Sequence, residues 1–313
     1  IWLVDGDVFV KDEGADDFMI ARKPAHVRNA VWQTIYDSNN TPVDPERLSA
    51  PWTGQPWTGR PPGAWRESNR TMATDSSGPT TLTWDDERFP LDDWNAYNML
   101  TPVAGDLPVS DLRISATLTP GSDALDATLT LTARSHVITF SIAGSSATVM
   151  IDDGEDQVSN TGTLPESIQA GRPLRIVCEH VDQSLHMTID GVEVVTLEYD
   201  WTPRKRLEFA SGMAGSSLSD GELSRRRPVK PTIQWRFTGS PVSMSNVQLD
   251  RDLYYRPGLQ TSVARRHEPA PEFADQVRPG GPAAAVHPDT VVTLTDEQFF
   301  MLGDNSGRSL DGR

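Results

Sequence analysis

Cysteine is almost absent from this chain, since Cys178 is the only one among 313 residues. One thiol cannot form an internal disulfide, and no Cys-x-x-Cys pair or mixed Cys/His spacing is present. A disulfide framework and a zinc-finger type of site are therefore excluded. The neighbours Leu174, Ile176 and Val177 are apolar and β-prone, which predicts that Cys178 lies in a buried strand and serves packing.

Long apolar runs are also missing. No stretch approaches the roughly 18 consecutive apolar residues of a membrane helix, and no basic segment followed by a short apolar core marks a signal peptide. The chain opens on the strand-like Ile1-Trp2-Leu3-Val4 and stops at Arg313 without a tail. We therefore expect both ends to cut through a folded unit, and the chain to be a fragment of a longer protein.

Basic residues are scarce relative to acidic ones. Lys+Arg is 28 and Asp+Glu is 44, which gives a formal net charge of −16. A surface this acidic repels phosphate backbones and offers no attraction to anionic lipid headgroups. The composition therefore argues against nucleic acid as a partner.

Candidate metal ligands do not form a recognisable set. The acidic run 152–156 lacks the roughly 12-residue spacing of an EF-hand loop, so we interpret it as a solvated turn. His180 and His186 are predicted to approach each other across a hairpin, but no third ligand accompanies them. The sequence therefore predicts no metal and no cofactor.

Short alternating segments dominate the middle of the chain. Alternation of apolar and polar residues with a period of two predicts strands with one buried face, and many such strands with turn signals between them predict a sandwich or barrel. The strand, Asp190-Gly191 turn and strand from Met187 to Val194 resemble a feature of concanavalin/laminin-G type jelly rolls. The fold class is therefore predicted as mainly β. The strands are predicted at 111–118, 127–131, 137–142, 147–151, 174–180, 185–189, 192–199, 232–237 and 242–249.

Composition divides the chain into five predicted segments. The first begins with a β-hairpin around Asp5-Gly6 and continues into a short helix from Ala25 to Tyr36, where apolar residues recur every three or four positions. Proline-rich stretches without a period are typical of connections. In order, the segments are the hairpin and helix at 1–36, a Pro/Trp-rich extended connection at 37–83, the sandwich at 84–256, a Pro/Gly/Ala-rich linker at 257–288 and a last segment at 289–313.

The last segment ends in a dense motif that runs from Phe299 to Arg313. After an aromatic-apolar strand it reads Gly-Asp-Asn, three variable residues, Ser, one variable residue, then Asp-Gly-Arg. This order resembles the last conserved box of bacterial type I signal peptidases. The hairpin at 1–10 is similar to the one that follows the lysine-bearing strand in that family. The resemblance implies that both chain ends belong to the peptidase β-domain and that the sandwich is an insertion. The matching positions are Gly303, Asp304, Asn305, Ser309, Asp311, Gly312 and Arg313.

The resemblance assigns roles within this box. A lysine acts as a general base only when neutral, and it then needs a partner that orients its lone pair without adding negative charge. The resemblance gives that role to Ser309. It implies that Asp311 and Arg313 pair to hold the loop. It also implies that Gly303 allows close backbone approach and that Asp304 and Asn305 brace the turn.

The nucleophilic serine and the base lysine of that family are absent and would lie upstream of Ile1. The resemblance therefore implies that this chain alone is inactive. Its parent would be a serine endopeptidase that removes signal peptides from exported preproteins. The parent would be held in the bacterial cell membrane by an anchor missing here, with its catalytic domain on the extracytoplasmic side.

Two alternatives stay open at the level of sequence. The sandwich at 84–256 could be a carbohydrate- or protein-binding module, which an aromatic-lined groove on its concave face would favour. The chain could also be a non-catalytic scaffold that keeps the terminal box for stability.

Overall fold

The computed structural model describes residues 1–40, 55–93, 107–152 and 156–254, together with positions 154, 294, 295 and 297. The chain divides into two compact units. Unit 1 comprises Ile1–Val31, Asp200–Val229 and Leu253–Arg313, and unit 2 comprises Trp32–Tyr199 and Lys230–Asp252. Within the described ranges, no helix has the length and apolar character needed to cross a membrane.

Unit 1 contains a small antiparallel sheet, sheet A, built from β1 (Trp2–Val4), β2 (Asp7–Val10) and β3 (Met19–Ile20). The first two strands confirm the predicted hairpin, with Leu3 opposite Val8. Gly6 at the turn has φ +90 and lies against the ring of Tyr254. A side chain there would be strained and would also clash with that ring, so the turn requires glycine.

The described residues of unit 1 also form three helices: α1 (Ala25–Val31), α2 (Pro203–Ala210) and α3 (Asp220–Leu223). The prediction of a helix to Tyr36 was wrong in its second half, because the β-branched and aromatic residues after Val31 form a strand instead. Helix α2 was missed, although Thr202 caps it and Pro203 occupies its first turn.

A buried ion network accompanies the core of unit 1. Arg206, with none of its surface exposed, donates through Nε to Asp5 Oδ2 at 3.0 Å and through Nη2 to Asp7. Tyr254 donates its hydroxyl to the other oxygen of Asp5 at 3.1 Å. These bonds fix the turn of the hairpin. The surrounding apolar core consists of Trp2, Val4, Phe9, Ile20, Leu207 and Leu223.

Unit 2 is a sandwich of two antiparallel sheets. Sheet B has the order β13-β12-β11-β10-β17-β8-β5, and sheet C has the order β16-β15-β14-β9-β18-β7-β6, with β4 also paired to β18. The strands are β4 (Gln33–Asp37), β5 (Trp57–Arg60), β6 (Arg66–Ser68), β7 (Thr71–Thr74), β8 (Thr80–Trp84), β9 (Leu112–Pro120), β10 (Asp126–Ala133), β11 (His136–Ala143), β12 (Ser146–Asp152), β13 (Gln157–Thr163), β14 (Leu174–Val181), β15 (Ser184–Ile189), β16 (Val192–Glu198), β17 (Thr232–Thr238) and β18 (Val242–Arg251).

Alternation along the strands builds the core of the sandwich. In β10, Leu129 and Leu131 are fully buried while the intervening threonines are only half-buried, and β9 repeats the pattern with Leu112, Ile114 and Leu118. On each sheet, every second side chain points inward, and the inward side chains of the two sheets therefore pack together in one apolar layer. The predicted fold class, a mainly β protein with a sandwich, is confirmed.

Tight two-residue turns connect four hairpins in the described part of unit 2. Both central residues have positive φ in each turn, as in the type I′ geometry that matches strand twist. Of these four, only the Asp190-Gly191 turn was visible in the sequence. The other three use residues other than glycine, namely Asn69-Arg70, Arg134-Ser135 and Asp182-Gln183.

Part of the segment expected to be an extended connection supplies strands β5 to β8 to the sandwich. The prolines Pro61 and Pro62 lie between β5 and β6, so they interrupt no strand. Trp57 and Trp84 are buried and pack edge to face at a ring separation of 5.2 Å. Trp57 and Trp84 therefore belong to the core. The predicted linker at 257–288 lies outside the described residues.

Candidate functional site

The residues assigned to the terminal box lie outside the described part of the chain. This applies to Gly303, Asp304, Asn305, Ser309, Asp311 and Arg313. Their assigned roles stay predictions, and the site considered below comes from unit 2.

Two of the sequence expectations concern side chains that the structure does place. Cys178 has none of its surface exposed, and burial raises the pKa of its thiol, so the predicted packing role is confirmed.

His180 and His186 do not approach each other as a ligand pair. His180 lies opposite Leu185, while His186 lies opposite Glu179, so the two imidazoles are on opposite faces of sheet C. His180 instead bonds the Ser110 carbonyl and the Tyr199 hydroxyl.

The outer face of sheet C carries a row of polar side chains that crosses six strands. In β9 the core takes Leu112 and Ile114, which leaves Arg113 on the other face. Starting from Arg113, the residues that face each other directly on neighbouring strands extend the row in both directions across sheet C. We call these six residues the polar track: Thr34, Asp250, Arg113, Glu179, His186 and Thr196. Because neighbouring strands lie about 4.8 Å apart, the track spans about 24 Å.

One end of the polar track is organised by Asp250, whose side chain is 1% exposed. Its carboxylate accepts from Arg113 Nε at 2.8 Å, from Thr34 Oγ1 at 2.7 Å and from Gln248 Nε2 at 2.8 Å. Three donors satisfy the buried charge and hold the Arg113 side chain in one orientation. Arg113 makes this contact through Nε, and its side chain is 21% exposed.

Trp32 adds an aromatic ring to this end. The Arg113 guanidinium carbon lies 5.0 Å from the centre of the half-buried indole, which is a cation–π contact. The indole and the guanidinium therefore support each other beside the row of hydrogen-bonding groups. An aromatic-lined groove would favour a sugar-binding sandwich, and Trp32 places one aromatic ring beside the polar track.

The other end of the track centres on His186. Its Nε2 lies 2.9 Å from Ser184 Oγ and its Nδ1 lies 3.0 Å from Glu193 Oε2. This has the connectivity of a catalytic triad. Ser184, however, is 3% exposed and donates its hydroxyl to the Val181 carbonyl at 2.6 Å. The Ser184 hydroxyl is therefore directed at the backbone and is not held ready as a nucleophile for His186.

Glu179 lies between the two ends. Its Cα partners are Arg113 on one side and His186 on the other, and only 7% of its surface is exposed. Opposite charges on directly facing residues stabilise a sheet. The track thus alternates acid and base from Asp250 to His186, which compensates charges that a sheet face rarely buries.

A group of carboxylates lies where the strands of sheet C end. Asp111, Asp182 and Asp252 are buried, and their side-chain oxygens lie within 4.8 Å of one another. Among the described residues of unit 2, they form a group that could hold a metal ion. Arg134 already donates to Asp111, and the Asp182 backbone N–H donates to the same carboxylate at 3.0 Å. The sequence could not reveal this group, because its members come from separate turns; the prediction of no metal stays a prediction.

The outer face of sheet B offers a contrasting surface. Its residues are mostly short hydroxyl side chains without an aromatic ring. One row comprises Thr161, Thr148, Ser141, Thr128, Arg236, Thr81 and Arg60, and the other comprises Ser159, Met150, Thr139, Thr130, Gln234, Thr83 and Thr58. The charged groups and the indole are therefore concentrated on sheet C.

Comparison with known proteins assigns no family to the chain. No family model matches it, and no curated protein matches it. Similar solved structures include the carbohydrate-binding module CBM66 from Bacillus subtilis, with 10% identity and a TM-score of 0.37 over 63% of this chain and 96% of that one. A protein of unknown function with a galectin-like fold, also from Bacillus subtilis, has 8% identity and a TM-score of 0.39 over 71% and 99%. Alginate lyase A1-II′, a member of polysaccharide lyase family 7, has 10% identity and a TM-score of 0.37 over 71% and 93%.

The expected membership of the type I signal peptidases is therefore wrong. No family model supports it, and the structures named above are a carbohydrate-binding module, a galectin-like protein and a polysaccharide lyase. The serine endopeptidase activity and the Ser/Lys dyad inferred from that resemblance are corrected with it. A box rich in Gly, Asp, Asn and Ser is also what an ordinary turn after a strand contains, which is why the short match misled.

Proposed function

We propose that unit 2 is a non-catalytic carbohydrate-binding module and that the polar track, together with Trp32, is its sugar-binding surface. A sugar presents hydroxyl groups that both donate and accept, and ring faces of C–H bonds that pack on aromatic rings. The half-buried Thr34, Arg113 and Thr196 offer donors and acceptors on the same face as the half-buried indole, which is the chemistry that such a ligand needs, while Asp250, Glu179 and His186 are buried beneath them. The observation that carries the proposal is this continuous row across six strands.

The hydrogen bonds within the track favour binding over catalysis. Asp250 is engaged by three donors, and the Ser184 hydroxyl is committed to a backbone carbonyl. A nucleophile or general base must be able to exchange a proton with the substrate. Groups held in this way are instead suited to orienting a ligand, because their positions are fixed before it arrives.

The composition of the track favours a sugar over a protein partner. Protein interfaces concentrate apolar and aromatic side chains at their centre and leave charges at the rim. Here the centre of the face is Arg113 and Glu179, and the aromatic residue lies at one end. Polar ligands with many hydroxyl groups match that arrangement better.

The test is binding of the whole chain to a panel of oligosaccharides by calorimetry. Trp32→Ala and Thr196→Ala change opposite ends of the track without removing a partner of Asp250. We expect each variant to weaken binding, with at least a tenfold loss for Trp32→Ala. Thr130→Ala on sheet B is the matched control and should bind as the parent does. Absence of binding to every sugar, or equal binding by Trp32→Ala, would contradict the proposal.

A further inference from the structure

We infer that the chain forms a symmetric dimer through β13, the end strand of sheet B, by antiparallel pairing with β13 of a second copy. The inference goes beyond the proposed function and does not depend on it. It starts from the exposure of this strand, since six of its seven residues are exposed and the seventh, Gly162, is half-buried. An end strand presents a row of backbone N–H and C=O groups with which a further strand can pair.

The open backbone groups of β13 are those of its odd-numbered residues. Leu164, which follows the strand, donates its backbone N–H to the Ser145 carbonyl next to β12 at 2.8 Å. The direction of the backbone groups alternates along a strand, so the even-numbered residues face β12. Thr161 agrees with this, because its N–H is donated to the Asn160 side chain at 2.9 Å. The residues whose backbone groups face away from β12 are therefore Gln157, Ser159, Thr161 and Thr163.

Three other end strands of the sandwich are covered or short. β16 lies against β13 itself: Asn160 Nδ2 donates to the Thr196 carbonyl at 2.7 Å, and a side chain at Gly162 would clash with the Val194 carbonyl. At the other ends of the two sheets, β5 has four residues and is followed by Pro61, and β6 has three residues, two of them charged. Short, charged or proline-flanked edges resist pairing. β13, by contrast, has seven residues, none of them charged and none a proline.

Charge and side-chain shape both fit a second copy of the same strand. Two chains that each carry a net charge of −16 repel each other, so the uncharged β13 is a favourable place for them to meet. Antiparallel pairing centred on Asn160 places Val158, which is 48% exposed, opposite Gly162 of the other copy, where no side chain competes for the space. Ser159 then faces Thr161 of the other copy, and the Thr161 N–H exchanges its bond to Asn160 for one across the joint.

The symmetry of this joint sets the orientation of the two copies. The same surface is used twice, so the contact closes after two chains and does not propagate into a fibre. In an antiparallel pair, the two-fold axis is perpendicular to the sheet, so sheet B becomes continuous across the joint and both copies of sheet C lie on the same side of it. Under the proposed function, the dimer would therefore present two sugar-binding faces to one polysaccharide surface, which raises the overall affinity without any new contact.

Analytical ultracentrifugation of the whole chain over a range of concentrations tests the inference, and we expect a monomer–dimer equilibrium. Val158→Lys places a charge at the joint, and Ser159→Pro removes an N–H that is not part of the ladder with β12. Each should raise the dissociation constant of the dimer at least about tenfold. Val137→Lys is the matched control, because Val137 is 41% exposed, lies two strands away from β13 and undergoes the same change in charge. It should dimerise as the parent does.

Hydrogen exchange provides a second measurement that needs no variant. The backbone N–H groups of Ser159 and Thr163 should exchange more slowly as the protein concentration rises, and in Val158→Lys they should exchange fast at every concentration. A chain that stays monomeric throughout, or a dimer that Val158→Lys and Ser159→Pro leave unchanged, would overturn the inference. Either result would leave the proposed sugar binding standing, since the polar track lies on the other sheet.

Discussion

Replacing Arg113 by methionine removes the cation that lies against a carboxylate with 1% of its side-chain surface exposed. Removing one partner of a buried ion pair costs about 3–5 kcal/mol when the other charge is left alone. Thr34 and Gln248 continue to donate to Asp250, and each such bond contributes about 1 kcal/mol. We therefore expect Arg113→Met to lower the free energy of unfolding by about 2 kcal/mol.

Urea unfolding of the whole chain, followed by tryptophan fluorescence, measures this loss as a shift in midpoint at an unchanged slope. Asp250→Asn keeps the shape of the side chain and removes its charge, so the double variant Arg113→Met/Asp250→Asn should recover about half of the loss. Arg175→Met is the matched control, since Arg175 is exposed on the same face. An Arg113→Met variant no less stable than this control, or effects of the two substitutions that simply add, would show that Arg113 and Asp250 are not coupled.

Three further predictions concern other parts of the chain. Cys178, which is fully buried with the pKa of its thiol raised, should not react with a disulfide reagent in the native state at pH 8 and should react once urea unfolds the protein. Gly162→Ala would place a Cβ 1.9 Å from a backbone carbonyl of β16, so we expect a clear fall in melting temperature, whereas Gly78→Ala, which meets only a hydroxyl at 3.5 Å, should change it little. Hydrogen bonds from Ser219 lower the pKa of Glu222, so the stabilisation they give is present above the normal carboxyl pKa and is lost as pH falls through the lowered value; Ser219→Ala should return that pKa toward normal in an NMR titration.

The strands were largely visible in the sequence because their signal is local. Leu129 and Leu131 alternate with threonines within five residues, and such a period predicts a half-buried strand without knowledge of its partners. The strands from Trp57 to Trp84 were hidden for a local reason too. They are short, and the prolines and tryptophans around them are typical of connections, although here Trp57 and Trp84 lie in the core.

The polar track could not be read from the sequence, because it runs at right angles to the chain. Thr34 and Asp250 are neighbours in space and 216 positions apart in sequence. Which residue faces which depends on register, and a slip of one residue moves every side chain to the other face. The His180 and His186 expectation failed for this reason. Both lie on one hairpin, yet the register sends one into the sandwich and the other outward.

The polar track buries charged side chains on the outer face of a sheet, and this burial has a cost in free energy. Asp250 and Glu179 lose most of their contact with water, and only partners fixed at hydrogen-bonding distance make that tolerable. A protein that needed only stability would gain more from apolar residues at these positions. Under the proposed function, the ionic row supplies a set of donors and acceptors whose directions are settled before a sugar arrives. A surface fixed in this way would lose little entropy on binding, so weak individual contacts with a flexible, hydroxyl-rich ligand would add up to measurable affinity.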